Sequence, residues 1–333
     1  MSTPIKMGII GLGGFGARIL NPISFFHTKE EIEVVAICDI NLERAKSIAN
    51  EYQIPHWYES YQKMLDSVSL DLVYIATPPS THGEITSLVI EKGIHVLCEK
   101  PLANSINDAK EMKDLAKQAN VVHALHFGQN YLPTLNKFHK MITDGYIGDI
   151  KQVNLNMQYS SWPPEYQQND WISTRDGGFL LEQGIHFIQA IQRVFGKIAS
   201  IQSEVHYPAP NESENKVKAT MTLANGLTVL VNGTTEAANE NVSLTALGSE
   251  GTVVFDFKGV KAGKNGFPIE EVELEEPFAY PWILSHVIKA IKGEKAEIYD
   301  FTVGYEAQVV LEILRKGDKV RVDLEPFYDK VTV

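Results

Sequence analysis

Cysteine, basic residues and long apolar runs are all scarce in this chain. Only two of its 333 residues are cysteine, Cys38 and Cys98. Both fall inside apolar strand-like segments, which excludes a disulfide framework and a multi-cysteine metal cluster and points to reduced core thiols. Lys and Arg number 30 against 42 Asp and Glu, a formal net charge of −12. A nucleic-acid or anionic-membrane surface needs a basic patch, and no run of Lys and Arg supplies one. No apolar stretch reaches the roughly 18 residues that span a bilayer. The opening MSTPIK enters an apolar strand almost at once, so a secretory leader is not expected and a cytoplasmic protein is. Internal repeats and low-complexity stretches are also missing.

The chain is long enough for two domains with their own cores. Through about residue 122, strands near 5–10, 33–38, 71–77, 94–98 and 121–127 alternate with helices near 14–26, 42–53, 59–66, 81–92 and 105–119. That alternation builds a parallel sheet. Strand cores such as Leu72-Val73-Tyr74-Ile75-Ala76 are nearly continuous apolar runs, as strands covered on both faces require. Residues 1–122 therefore read as a Rossmann-type, doubly wound α/β domain.

Residues 123–333 read as a second, α+β domain. Val153, Leu155, Met157 and Tyr159 alternate with Gln152, Asn154, Asn156 and Gln158, which describes a strand with one wet face. Val217, Ala219, Met221 and Leu223 repeat the pattern, and Asn225-Gly226 turns the chain into Leu227–Val231 as a hairpin. Further strands are expected at 198–207, 241–247, 252–257, 269–275 and 319–324, with helices near 281–292 and 302–316. The result is a large, mostly antiparallel open sheet. Its outer face must be polar or covered, so a homodimer or homotetramer built through it is expected. The polar, turn-rich segment Pro208 to Asn215 reads as a surface loop.

The chemistry begins at the first turn. Gly11, Gly13 and Gly16 of Gly11-Leu12-Gly13-Gly14-Phe15-Gly16 have the G-x-G-x-x-G spacing after a strand. The first glycine permits a tight turn, the second a close approach to a pyrophosphate, and the third close packing of helix on strand. Asp39 ends the second strand, 23 residues past Gly16. There a carboxylate can accept hydrogen bonds from an adenosine ribose, although Asp39 can also cap the following helix. A carboxylate about 4 Å from a 2′-phosphate would be repelled by up to roughly 4 kcal/mol at an effective dielectric of 20, so NAD is favoured over NADP. Arg44 tempers that preference, since an arginine can accept the phosphate.

Three further patches carry reactive or binding groups. Ala76-Thr77-Pro78-Pro79-Ser80-Thr81-His82 follows a parallel strand, where open sheets place ligands; Thr77, Pro78 and His82 are candidate cofactor contacts, while Ser80 or Thr81 can cap the next helix. Glu99-Lys100-Pro101 follows the next strand, so Glu99 and Lys100 join the cofactor set. In Gly177–His186, Glu182 and His186 stand four apart at the start of a helix, where a carboxylate can orient an imidazole. Glu182, His186, Gln189 and Arg193 form one stripe opposite Leu180, Phe187, Ile188 and Ile191, which is equally the pattern of an amphipathic surface helix. A zinc pair has this spacing too, but no third ligand presents itself, so no metal is assigned. Tyr159, Trp162, Tyr166, Trp171 and Arg175 either stack on a sugar and read its hydroxyls or anchor a loop; Tyr280 and Trp282 are further aromatic candidates.

Taken in order, GLGGFG, Asp39, ATPPSTH, CEKPLA, GGFLLEQGIH and the GSEGT turn at Gly248–Thr252 resemble the Gfo/Idh/MocA oxidoreductase family, the group of glucose-fructose oxidoreductase and inositol dehydrogenases. The resemblance implies an N-terminal Rossmann domain, a C-terminal open sheet, a nicotinamide cofactor and a polyol or sugar substrate. It makes Lys100 the lysine that touches the substrate hydroxyl and His186 the proton acceptor or donor, the two converging beside the nicotinamide. Glu182 stands where that family has Asp, Gln189 where it has an acidic residue, and Asn130 where many members have arginine. The expected activity is hydride transfer from a secondary alcohol. The alternatives within the same resemblance are a non-catalytic dinucleotide sensor and an NAD-dependent glycosidase.

Overall fold

A computed structural model describes residues 3–21, 31–164, 170–274 and 282–328. By its internal contacts the chain divides into two compact units. One comprises Met1–Gly128 with Ala279–Gln308, and the other Gln129–Phe278 with Val309–Val333. The first therefore reclaims a late helical segment that strand and helix periodicity alone does not assign to it.

The first unit alternates β1 (Ile5–Ile10), α1 (Gly14–Arg18), β2 (Ile32–Cys38), α2 (Leu42–Tyr52), β3 (His56–Tyr58), α3 (Tyr61–Ser67), β4 (Leu72–Ile75), α4 (His82–Glu91), β5 (His95–Cys98), α5 (Ile106–Gln118) and β6 (His123–Leu125). The strands pair in parallel in the order β3-β2-β1-β4-β5-β6. This is the doubly wound sheet the alternation predicts. Met7, Ile9, Val73, Tyr74, Val96 and Leu97 are fully buried, because helices cover both faces. The edge strand β3 escapes the sequence reading: His56 and Trp57 are exposed and carry no buried-strand signature.

The second unit holds α6 (Pro133–Thr143), β7 (Ile150–Gln158), α7 (Ile185–Phe195), β8 (Ile198–His206), β9 (Lys216–Leu223), β10 (Thr228–Thr234), β11 (Asn241–Gly248), β12 (Gly251–Asp256), β13 (Gly259–Lys264) and β14 (Glu270–Glu271). Helix α8 (Trp282–Ile291) belongs to the first unit, α9 (Phe301–Lys316) crosses the division between units, and β15 (Arg321–Asp323) returns to the second sheet. Among the described residues that sheet has nine strands in the order β14-β13-β12-β11-β7-β10-β9-β8-β15. All pairs are antiparallel except β7 with β10. One register row, Ile201, Met221, Val229, Val153, Ala246, Val253 and Ala262, is buried throughout. The neighbouring row, Gln202, Thr220, Leu230, Asn154 and Thr245, makes the opposite face. On the apolar side Phe138 of α6 and Phe187 of α7 pack on Phe255 of β12, at ring separations of 5.5 and 6.2 Å. Helix α6 and strand β13 are absent from the sequence reading, and the strand expected over 269–275 shrinks to Glu270–Glu271.

Candidate functional site

In the first unit the candidate groups stand on the carboxyl ends of the parallel strands. The turn after β1 requires its glycines. A Cβ at Gly11, whose φ is +90°, would lie 2.6 Å from the Ala76 carbonyl oxygen, and one at Gly16 would lie 1.9 Å from that of Gly11. Gly13 and Gly14 differ. Among the described residues a Cβ at Gly13 would meet only Arg44 Nη1, at 3.8 Å, and one at Gly14 nothing within 4 Å. Among the described residues the turn thus presents bare backbone with room beside Gly13 and Gly14, the surface a pyrophosphate needs. Phe15 lies in α1, and its side chain is outside the described residues, as is the expected extension of that helix over 22–26.

Asp39 does not cap α2. That role belongs to Asn41, whose side chain accepts the Arg44 N–H at 3.0 Å. The Asp39 carboxylate, 5% exposed, instead accepts the backbone N–H groups of Leu12 and Asn41, both at 2.8 Å, while Arg44 Nη1 lies 3.3–3.4 Å from its oxygens. Each oxygen retains lone-pair capacity for a ribose hydroxyl. Beside it the Cys38 thiol is buried, and burial, with Asp39 adding to it, pushes its pKa up to about 12. Cys98 is also buried and its pKa is raised in the same sense, mainly by burial.

After β4, Thr77 is half-buried and Pro78 exposed. Neither Ser80 nor Thr81 caps α4 with its side chain; the Thr81 hydroxyl instead faces Thr77 Oγ1 at 2.8 Å and the Pro78 carbonyl at 2.9 Å. His82, expected among the cofactor contacts, turns inward. Its ring is fully buried, with Nε2 2.9 Å from the Thr77 carbonyl and Nδ1 3.0 Å from that of Pro101. The neutral ring that burial favours carries one N–H, so it donates to one of these two carbonyls and packs between the loop after β4 and the loop after β5. Glu99 also faces inward: Oε1 accepts from Tyr74 and contacts His126, and Oε2 accepts the Lys100 N–H. Lys100 itself is half-buried and precedes a cis proline. Sequence reasoning missed Tyr74 and His126. The signal was their position at the ends of β4 and β6, flanking the strand that delivers Lys100.

In the second unit the Gly177-Gly178 pair is a packing requirement. A Cβ at Gly177 would lie 2.5 Å from Trp171 O, and one at Gly178, φ +103°, would lie 2.4 Å from both carboxylate oxygens of Glu214. Glu214 is buried, accepts the Leu180 N–H at 2.7 Å and lies 3.4 Å from Arg315, whose Nη2 also donates to the carbonyls of Arg175 and Gly177. Burial pushes the Glu214 pKa up despite that arginine. The segment Pro208 to Asn215 is therefore more than a surface loop, because its end is buried and holds the start of the His186 helix.

That start is a π turn, Leu180–Gly184, in which the Ile185 N–H reaches back to Leu180 O. Such turns often mark functional positions in helices. Glu182, His186 and Gln189 are 4, 6 and 5% exposed, and the apolar residues from Leu180 to Ile191 are buried as well. The amphipathic surface helix is thus ruled out: both faces of this segment are buried. Asn130 is fully buried, and Arg193 donates to its carbonyl at 2.6 Å and to Asn136 at 3.0 Å.

The aromatic candidates separate. Trp162 packs on Tyr159 and Phe179, with ring centroids 5.1 and 6.1 Å away, and its ring is half-buried. Trp171 is half-buried. Arg175 is exposed with its guanidinium carbon 3.2 Å from the Tyr207 ring centroid. Tyr166 and Tyr280 lie outside the described residues, as does the side chain of Trp282. Among the described residues no group of three or more metal-ligating side chains comes together, and no helix is long and apolar enough to cross a membrane.

Comparison with known proteins bears on these geometries. Residues 5–127 match the model described as "Oxidoreductase family, NAD-binding Rossmann fold", and residues 135–254 match the GFO/IDH/MocA C-terminal domain. D-glucoside 3-dehydrogenase of Escherichia coli (strain K12) is 30% identical over 195 residues, 59% of this chain and 55% of that protein. The chain thus spans about half the length of that curated relative. The WlbA dehydrogenase from Bordetella pertussis, solved in complex with NADH and UDP-GlcNAcA, is 25% identical with a TM-score of 0.82, covering 96% of this chain and 99% of that one. A levoglucosan dehydrogenase in complex with NADH, 22% identical, shares the fold with a TM-score of 0.83 over 96% of this chain and 99% of that one. With an NAD-type glycine turn on a parallel sheet, a nine-stranded second sheet and both family models matched in order, the chain belongs to the Gfo/Idh/MocA oxidoreductase family.

Proposed function

We propose that this chain is an NAD-dependent dehydrogenase that moves a hydride between a nicotinamide and a secondary hydroxyl carbon of a sugar, inositol or sugar-derived substrate. One observation carries the reading. The open glycine turn after β1, the buried Asp39 carboxylate after β2 and Lys100 after β5 all stand on the carboxyl edge of a single parallel sheet. That edge is where open α/β sheets bind ligands. The residues fit a dinucleotide, with bare backbone for the phosphates, a carboxylate for the adenosine ribose and an ammonium further along. The names of D-glucoside 3-dehydrogenase and of the NADH and UDP-GlcNAcA complex of WlbA support a sugar-class substrate.

When bound, NAD supplies the hydride acceptor. Lys100 stabilises the negative charge that develops on the substrate oxygen. His186 takes the hydroxyl proton, and Glu182 keeps its imidazole oriented. In the reductive direction His186 returns the proton. The reading requires that Lys100 and His186 reach one substrate hydroxyl. Trp162, Trp171 and Arg175 contribute to holding the substrate. Asp39 favours NAD over NADP, and its contact with Arg44 narrows the margin. We also infer a homodimer or homotetramer through the open sheet, supported by Leu230, 41% exposed in the middle of its outer row. Buried free thiols support a cytoplasmic setting.

The test is a panel of polyols, aldoses and sugar acids offered with NAD, with absorbance of NADH as the readout. Net NADH formation with at least one member supports the reading. No NADH across the panel, or release of a free sugar without net NADH, contradicts it.

A further inference from the structure

Three adjacent strands of the first unit bring Tyr74, Glu99 and His126 into one buried line. Tyr74 belongs to β4, Glu99 follows β5 and His126 follows β6. Tyr74 donates its hydroxyl hydrogen to Glu99 Oε1 at 2.6 Å, and His126 Nδ1 lies 2.5 Å from the same oxygen. Tyr74 is fully buried, while Glu99 and His126 are each 8% exposed. Burial alone would raise the Glu99 pKa, but His126, Tyr74 and Lys100 outweigh it and hold it at about 2.

An ionised carboxylate only accepts hydrogen bonds, so Nδ1 of His126 must carry a hydrogen. In the neutral form of the ring that leaves Nε2 with a bare lone pair. Nε2 is buried, and among the described residues it has no hydrogen-bond partner. Buried polar atoms are ordinarily paired, and an orphan of this kind asks for a ligand that donates.

The strand order says which part of a ligand arrives there. The glycine turn follows β1, and Asp39 follows β2 on one side of it; β4, β5 and β6 succeed one another on the other side. A dinucleotide with its pyrophosphate at the turn and its adenosine ribose at Asp39 therefore sends its second nucleoside toward the ends of β5 and β6.

We propose that His126 is a cofactor-positioning residue whose Nε2 accepts a hydrogen bond from the nicotinamide nucleoside, either from a ribose hydroxyl or from the carboxamide N–H. Glu99 and Tyr74 fix its ring, and it serves alongside Lys100 on the neighbouring strand. The assignment rests on the dinucleotide reading above.

Two substitutions separate the functions of the ring. His126→Asn keeps an N–H near the position of Nδ1 and deletes the acceptor at Nε2, whereas His126→Gln extends an amide oxygen to that outer position. Binding of NADH and of ADP is measured separately by fluorescence and calorimetry. The expected result is that His126→Asn weakens NADH about tenfold, leaves ADP unchanged, and that His126→Gln recovers most of the loss. Unaltered ADP binding also reports that the variant unit is folded. Nicotinic acid adenine dinucleotide, which lacks the amide N–H, identifies the donor: a loss that persists with it assigns the ribose hydroxyl, and one that vanishes assigns the carboxamide. Equal weakening of NADH and ADP would reduce His126 to a structural role and overturn the proposal. So would unchanged NADH affinity in His126→Asn. Wild-type protein that binds ADP but not NADH would overturn the dinucleotide reading itself.

Discussion

Asp39 Oδ2 accepts the backbone N–H of Leu12 at 2.8 Å, which fastens the end of β2 to the glycine turn after β1. The same carboxylate accepts the Asn41 N–H and contacts Arg44, so it shapes the turn and sets the charge beside it. Asp39→Asn removes the charge while keeping an oxygen that can accept. The expected outcome is a shift of the NADP-to-NAD preference toward NADP by about 10- to 100-fold, well within the repulsion of up to about 4 kcal/mol that a nearby carboxylate exerts on a phosphate. Dissociation constants for both reduced cofactors measure it. An unchanged ratio removes Asp39 as the selector.

In the proposed reaction Lys100 and His186 act on the substrate hydroxyl. Lys100→Met and His186→Asn should each lower turnover by roughly 10²- to 10⁴-fold while NADH still binds. Steady-state kinetics with a parallel NADH titration separates the two effects. Full turnover in both variants removes them from the mechanism.

Gly178 bears on stability. Its φ of +103° and the 2.4 Å separation between a built Cβ and both Glu214 oxygens leave no room for a side chain. Gly178→Ala should cost about 1–3 kcal/mol in strain alone and displace the Leu180 N–H from Glu214. A clear fall in the thermal midpoint is expected, and an unchanged midpoint would contradict the packing described here.

The Glu99 carboxyl predicts a pH dependence. Its folded pKa of about 2 lies below its ordinary value of 4.5. The unfolded state therefore binds the proton first, and the stability due to this group is complete above about pH 4.5 and lost as pH falls toward about 2. Urea unfolding of wild type and Glu99→Gln over that range should show the wild-type advantage shrinking steadily on acidification. A constant difference would contradict the low pKa.

Much of the first unit was legible because parallel strands buried on both faces are written as apolar runs, and Gly11, Gly13, Gly16, Asp39 and Lys100 fall at strand ends that local pattern locates. The edge strand β3 was not legible, since its residues face water. Periodicity misread the His186 helix for a related reason. A π turn shifts the phase of the residues that follow, and burial of both faces hides the contrast on which an amphipathic reading depends. Glu214 and Arg315 hold that helix from 101 residues apart, and no local spacing records such a pair. His82 stands at a strand-end loop that local pattern locates, but its burial between the carbonyls of Thr77 and Pro101 is a tertiary fact that no local spacing records.

The most direct test follows the hydride itself. The best substrate from the sugar panel, deuterated at the reacting carbon, is incubated with NAD and wild-type protein, and the reduced cofactor is analysed by mass spectrometry. The account predicts NADH carrying one deuterium, with the signal lost in Lys100→Met and His186→Asn. NADH free of label, or label transfer undiminished in both variants, would contradict it.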